Sequence, residues 1–390
     1  MTGTGHDVAP EHPEPTVTPE RRTSFLELFF DLVFVFAITE VTGLFGGDLT
    51  PGGFARGALI LFLIWWAWAG YAWLTNAVDV ESPGVRIGYL VAMFGSFFMA
   101  LAVPHAFDDQ GAWFAIPFLF VRVLHVVLYA FGLRGDRSHQ AAVLQLAPWF
   151  LAAPVVVVVG GFVDDPARTW LWVAAVVIDL VGVMSVGRAG FRVTPSHFAE
   201  RYGLFVIIAL GEAIIGVGLG AAELERDATF AIAVGIAFAG AAALWWAYFD
   251  IPARAMERNL HATPEDRRGP FARDVFSIFH YPIILGIILG ALGAELTVEH
   301  PLEPLPEGGR WALGLGLAFY LLAFVLGRYR AVRAIAWERA AGAVAAVLAV
   351  WVLDGVDALV LLAVIVGILV VTVAFESTRL RAVRAGLRQA

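Results

Sequence analysis

The 390-residue sequence has no cysteine and no lysine; all 26 of its basic residues are arginine. The first absence excludes disulfides, thiolate metal centres and thiol nucleophiles. The second excludes lysine Schiff bases and the phosphate-cradling lysine of a P-loop. Charge is scarce as well, at 15% of residues against 59% hydrophobic, where soluble chains carry about 25%. That is too little polar surface to cover two or three water-soluble domains, so an ordinary cytosolic protein is excluded. No nucleic-acid partner is expected.

What is present is a succession of long apolar runs. The first 24 residues are polar, rich in proline and acid, and do not read as a cleavable signal peptide. Twelve stretches follow, each near the ~20 residues that cross ~30 Å of hydrocarbon as helix. They run over 25–44, 54–76, 85–107, 112–133, 140–160 and 167–187, then 198–220, 229–250, 271–292, 311–326, 335–353 and 356–375. Alternation is absent and the runs are twice the length of barrel strands. The expected fold class is therefore all-α, a polytopic membrane bundle of about 12 transmembrane helices. Nineteen of the 26 arginines fall on one side of this arrangement and four on the other. By the positive-inside rule both termini are expected in the cytoplasm and the protein in the cell's inner membrane, in contact with membrane lipid. Every loop is too short for a catalytic or nucleotide-binding domain, so any driving energy has to come from a gradient.

The chain also echoes itself. Phe25-Leu-Glu27 and, farther on, Glu40 are matched by Phe198-Ala-Glu200 and Glu212. Trp65-Trp66-Ala67-Trp68 is matched by Trp245-Trp246-Ala247-Tyr248 in the following span. Six spans per unit is an even number, which predicts two parallel six-helix repeats related by a pseudo-twofold along the membrane normal. The expected organisation is a tail over 1–24, repeats over 25–187 and 198–375, and a basic tail over 376–390.

Ionisable groups at membrane depth are costly unless paired or hydrated, so each is a functional candidate. Glu27 belongs to a capping box begun by Ser24, and Glu200 is expected in a first helical turn; for both, a structural role competes with a functional one. Asp31 lies one turn beyond Glu27 on nearly the same face and calls for a nearby cation, for which Arg201 is the natural partner. Glu40 and Glu212 lie ~20 Å along their helices, rotated well away from Glu27 and Glu200. One straight stripe cannot carry both members of either pair, which predicts that the first and seventh spans are central. Arg122 and His125 share a face at mid-membrane, and Asp179 in the sixth span lies at similar depth. An Arg122–Asp179 ion pair with His125 beside it is predicted, serving as clamp or relay. His280 precedes Pro282, which frees the carbonyl of Ile278 and kinks its helix; as a lone histidine it also fits simple packing. Gly286-xxx-Gly290 permits close helix approach, and the tryptophan pairs fit interfacial anchoring or packing.

Two strings, Leu26-Glu27-Leu-Phe-Phe-Asp31-Leu-Val-Phe-Val35 and Glu200-Arg201-Tyr-Gly-Leu-Phe-Val-Ile-Ile-Ala-Leu-Gly-Glu212, resemble the bacterial low-temperature-requirement A family. The resemblance runs from Arg22 to about Phe375 and implies a polytopic inner-membrane protein. It carries no catalytic assignment. It marks Glu27, Asp31, Glu200, Arg201 and Glu212 as signature positions and adds weight to functional roles for Glu27 and Glu200.

The leading functional expectation is a gradient-driven transporter or ion-conducting protein. A small solute, ion or proton would bind Asp31, Glu40 and Glu212, with Arg201 and Arg122 balancing charge. Alternatives are an integral-membrane enzyme acting on lipid or isoprenoid, or a non-transporting sensor in cold adaptation. No His-Glu-x-x-His, serine elbow or paired-aspartate motif supports the enzyme. No catalytic residue, metal or cofactor is assigned.

Overall fold

A computed structural model describes residues 22–134, 137–185, 193–221 and 225–380. Most of the two tails, and the join between the two halves over 186–192, lie outside the described residues. Helices account for nearly all of what is described: α1 (Phe25–Gly47), α2 (Pro51–Ala77), α3 (Pro83–Leu101), α4 (Gly111–Gly132), α5 (Arg137–Gly161), α6 (Ala167–Ser185) and α7 (Pro195–Gly220). They continue as α8 (Ala228–Phe249), α9 (Pro252–Ala262), α10 (Glu265–Ala272), α11 (His280–Glu299), α12 (Glu307–Val332), α13 (Trp337–Val352) and α14 (Ala358–Arg379). Among the described residues there is no strand beyond an isolated bridge, Pro304 to Asp357. In hydrocarbon only a helix or a closed barrel satisfies its own backbone, and these sequences take the helical solution.

The boundaries follow capping chemistry. Ser24 and Glu27 close both halves of a capping box at the start of α1, satisfying two orphan N–H groups. Thr50 caps α2 ahead of Pro51, and Asp227 caps α8. At the start of α14 the N–H groups of Ala358 and Leu359 donate to Glu303 and Pro301 carbonyls at 2.9 and 3.0 Å. Among the described residues, eleven helices are long and apolar enough to cross a membrane. The remaining predicted span is α13, whose 16 residues reach ~24 Å.

The disturbance expected from Pro282 takes the form of a π-helical turn, Arg273–Ile278, between α10 and α11. A proline clashes with the carbonyl four residues before it, and Ile278 is that residue. The most enclosed helices are α2 and α11, each buried over 72% of its apolar window, against 44% for α1 and 56% for α7. Phe25, Phe29 and Leu32 of α1 face outward. So the expectation that the first and seventh spans are the central ones is corrected: both are partly exposed, with Glu27, Asp31, Arg201 and Glu212 on their buried sides and Glu200 exposed.

The order of the helices puts Arg22, Arg86, Arg254 and Arg328 at one, arginine-rich face of the bundle and Asp108, Asp164, Glu299 and Glu303 at the other, acidic face, which also holds Arg56, Arg168 and Arg310. Glycine permits a close crossing of α11 and α12. A Cβ on Gly286 of α11 would stand 2.5 Å from the carbonyl oxygen of Gly316 of α12, and one on Gly316 would stand 2.8 Å from that of Gly286. Backbone meets backbone there, as small residues allow in lipid.

Candidate functional site

Near the arginine-rich face, α1 and α7 are joined by a closed polar cluster. Arg201 reaches across with both terminal nitrogens, Nη1 to Asp31 Oδ2 at 2.8 Å and Nη2 to Asp31 Oδ1 at 3.0 Å. Nη1 also donates to the carbonyl of Glu27 at 3.0 Å. The planar guanidinium suits this two-pronged grip on a carboxylate. Trp68 of α2 donates its indole N–H to Asp31 Oδ1 at 2.8 Å and lies under the guanidinium, whose centre is 5.6 Å from the ring. Glu27 is held from two sides, by His197 Nε2 at 3.0 Å from Oε1 and by the Ser24 N–H at 2.8 Å from Oε2. Glu27, His197 and Arg201 are wholly buried, and Asp31 is 3% exposed. Glu27 thus caps its helix and binds the neighbouring helix at once, and the two roles weighed for it coincide.

Glu200 parts company with its counterpart. Because α7 begins at Pro195, Glu200 lies in the second helical turn and not the first, exposed, accepting the Thr23 N–H at 3.1 Å. The tryptophan pairs diverge in the same way. Trp65 and Trp66 are buried at 0% and 5%, whereas Trp245 and Trp246 are 46% and 47% exposed. Only the last aromatic of each string is buried on both sides. Trp68 serves Asp31, and the Tyr248 hydroxyl meets His280 Nε2 at 2.8 Å.

Toward the acidic face the same two helices carry a different group. Glu212 is 3% exposed and accepts the Thr39 hydroxyl at 2.6 Å. Glu40 lies within electrostatic range of Glu212, and so does Glu295 of α11. Glu295 packs over α7 where glycine leaves room: a Cβ on Gly216 would be 3.0 Å from Glu295 Oε2. Glu299 follows one turn on and also acts on Glu295. Among the described residues no cationic side chain pairs with Glu40, Glu212 or Glu295. Glu295 escaped the sequence reading because the apolar run ends near Leu292, whereas the helix continues to Glu299.

The Arg122–Asp179 pair is present, at 2.6 Å with both side chains 2% exposed. Asp179 takes a second hydrogen bond from Trp66, and the Arg122 guanidinium lies 4.8 Å from the Phe150 ring centre. His125 stands beside it with Nε2 2.9 Å from the Gly70 carbonyl. His280 is fully engaged, Nε2 with Tyr248 and Nδ1 with the Val275 carbonyl at 2.9 Å. The ten candidates therefore fall into five places: the α1–α7 cluster, the carboxylates near the acidic face, the Arg122 group, the His280 packing site and, for Glu200, the surface. The sequence reading missed a further buried pair, Arg339 Nη2 to Glu376 Oε2 at 2.6 Å. It also missed Arg168, which is 4% exposed and donates to four backbone carbonyls at the acidic face. Among the described residues no three or more His, Asp or Glu side chains form a group that could hold a metal ion.

Long apolar helices packed through paired internal charges define a multi-pass helical membrane protein. Residues 22–374 match the model of the bacterial low temperature requirement A protein (LtrA) family, and the chain belongs to that family. It is 33% identical over 301 residues to a Rhizobium meliloti (strain 1021) protein whose name records it only as uncharacterized, covering 73% of this chain and 72% of that one. No solved structure matches the chain.

Proposed function

We propose that this protein moves a proton or a small cation across the cell membrane, as a gradient-driven transporter or ion-conducting protein. One observation carries the reading: Glu40, Glu212 and Glu295 share a region of the bundle without a basic partner among the described residues. Carboxylates held together in a low-dielectric setting are stabilised by a proton or cation between them. Asp31, expected in the same role, already has its acceptors filled by Arg201 and Trp68, so its part in this reading is to hold α1 against α7.

Two further features support this reading. Six neighbour pairs recur in order, with α1–α2, α1–α3, α2–α6, α3–α4, α4–α5 and α5–α6 matched by α7–α8, α7–α11, α8–α14, α11–α12, α12–α13 and α13–α14. That is the packing expected of two parallel repeats. The arginine bias supports cytoplasmic termini, which puts the carboxylates in the outer half of the membrane.

The test is flux in proteoliposomes under an imposed pH or cation gradient, comparing wild type with Glu212→Gln. Wild-type flux reduced at least tenfold in the variant is the expected result. Equal flux in both overturns the role of Glu212. A second reading, a non-transporting membrane sensor, is favoured by the enclosed α1–α7 cluster, and wild-type protein without flux selects it.

A further inference from the structure

The short helix α9, at the arginine-rich face, closes a cavity of about 380 Å³ together with α11, α12 and the end of α14. That volume falls among small-ligand pockets, which span about 300–1,000 Å³. One turn in from the face its walls are apolar, with Ile283 of α11 and Phe324 of α12. At the face stand Arg258 and Arg328. Arg258 is exposed and, among the described residues, makes no ion pair. The Arg328 side chain is 31% exposed and reaches Glu338 only at 3.5 Å. Both side chains are therefore accessible to a ligand.

The acidic side chains around it are already engaged. Glu338 is held by Arg379 at 3.0 Å as well as by Arg328. Asp274, next in sequence to the lining residue Val275, pairs with Arg273 at 2.6 Å and with Arg330 at 2.7 Å. Glu376, in the cavity wall, is taken by Arg339 at 2.6 Å. Glu257, beside Arg258 in sequence, lines a separate groove against α7 and α8. Counting Arg258, six arginines stand against three carboxylates, so the surplus is positive. Such a pocket selects an anion, and planar guanidiniums suit a phosphate. A headgroup that also carries an ammonium finds no unengaged carboxylate in this lining among the described residues. Val332 lines the cavity and is also exposed, as is Leu326 on the apolar flank of α12. In a membrane that flank is covered by acyl chains, so the cavity borders on lipid.

We propose that this cavity is a binding site for the headgroup of one anionic phospholipid, of phosphatidylglycerol type. Its singly charged phosphodiester accepts hydrogen bonds from Arg258 and Arg328, and its acyl chains lie against α12 on the lipid side of Val332. Basic pockets between transmembrane helices recognise lipid headgroups in this way. The site lies toward the opposite face from Glu212 and stands whether or not the protein conducts.

The experiment titrates full-length protein in non-ionic detergent with phosphatidylglycerol and phosphatidylcholine of the same acyl chains, and counts bound lipid by native mass spectrometry. Wild type is expected to bind its first phosphatidylglycerol about tenfold more tightly than its first phosphatidylcholine. In Arg258→Gln that preference is expected to fall below about threefold. Arg254→Gln removes the same charge one turn away, from the groove against α7 and α8. It is expected to keep the preference within about twofold of wild type. Equal affinities for the two lipids in wild type overturn the proposal, as does a preference retained in Arg258→Gln. Equal losses in Arg254→Gln and Arg258→Gln also overturn it, because they reduce the effect to surface charge. Glycerol phosphate serves as the competitor without chains. If it displaces phosphatidylglycerol at the same concentration as the lipid itself, the pocket belongs to a soluble phosphate and the lipid assignment fails.

Discussion

The two ends of the α1–α7 contact use the same side chain, a buried carboxylate, in opposite ways. Near the arginine-rich face Glu27 and Asp31 are surrounded by His197, Arg201, Trp68 and a helix N-terminus, and their strongest acceptor positions are taken. Near the acidic face Glu212 has a threonine hydroxyl and other carboxylates for company. A group whose partners are all supplied by the fold has no capacity left for an ion; a group that lacks them has. The contrast separates residues that hold the bundle together from residues available for chemistry, although Glu27, Asp31, Arg201, Glu40 and Glu212 all belong to the same two helices.

The largest expected effect tests the first half of that contrast. Arg201→Met leaves Asp31 buried and unpaired, and breaking a buried pair in this way costs about 3–5 kcal/mol. The expected outcome is loss of monodisperse protein or a strongly lowered thermal midpoint in detergent, and an unchanged midpoint would refute the clamp. Trp68→Phe removes one hydrogen bond to the Asp31 carboxylate and keeps the ring, at a cost of about 1–3 kcal/mol. Its midpoint should fall between wild type and Arg201→Met. Glu212→Gln, by contrast, retains an acceptor for Thr39 and lowers like-charge repulsion, so its stability should stay within about 0.5 kcal/mol of wild type while flux is lost. A midpoint as low as that of Arg201→Met would erase the distinction between the two ends.

The smallest effect concerns the loop after α1. The Thr50 hydroxyl and N–H, and then Arg56, hold the Asp48 carboxyl below its ordinary value. A depressed folded value contributes stability at neutral pH that is lost as pH falls below about 4. Wild type should therefore lose slightly more stability between pH 6 and pH 3 than Asp48→Asn, measured by thermal unfolding. Equal losses would show that this loop contributes nothing to the pH response.

Much of this was legible from spacing alone. Depth and facing were enough to pair Arg201 with Asp31 and Arg122 with Asp179, because helices fix rise and rotation per residue. His197 was missed because it precedes the apolar run that marks the seventh span, yet the helix begins at Pro195. Trp68 reads from sequence as one of several anchoring or packing aromatics, since an indole N–H shows no partner until the neighbouring helix is in place. The echo between Trp65-Trp66 and Trp245-Trp246 is a likeness of letters in unlike surroundings, one pair in the core and the other facing out. Residue type repeats more readily than environment, because environment depends on which side of the helix the other half covers.

The two fastenings of α1 to α7, an ion-pair cluster near one end and the Thr39–Glu212 hydrogen bond near the other, have a mechanical corollary. If the Arg201 grip on Asp31 and Glu27 served as a fulcrum, a splay of the two rods would have as its arm the length from Glu27 to Glu40. That arm is ~20 Å, and a tilt of ~10° about the fulcrum would carry Glu40 ~3.5 Å from Glu212. A displacement of that size would also break the Thr39–Glu212 hydrogen bond, so the far fastening is the one that decides the distance between the two carboxylates.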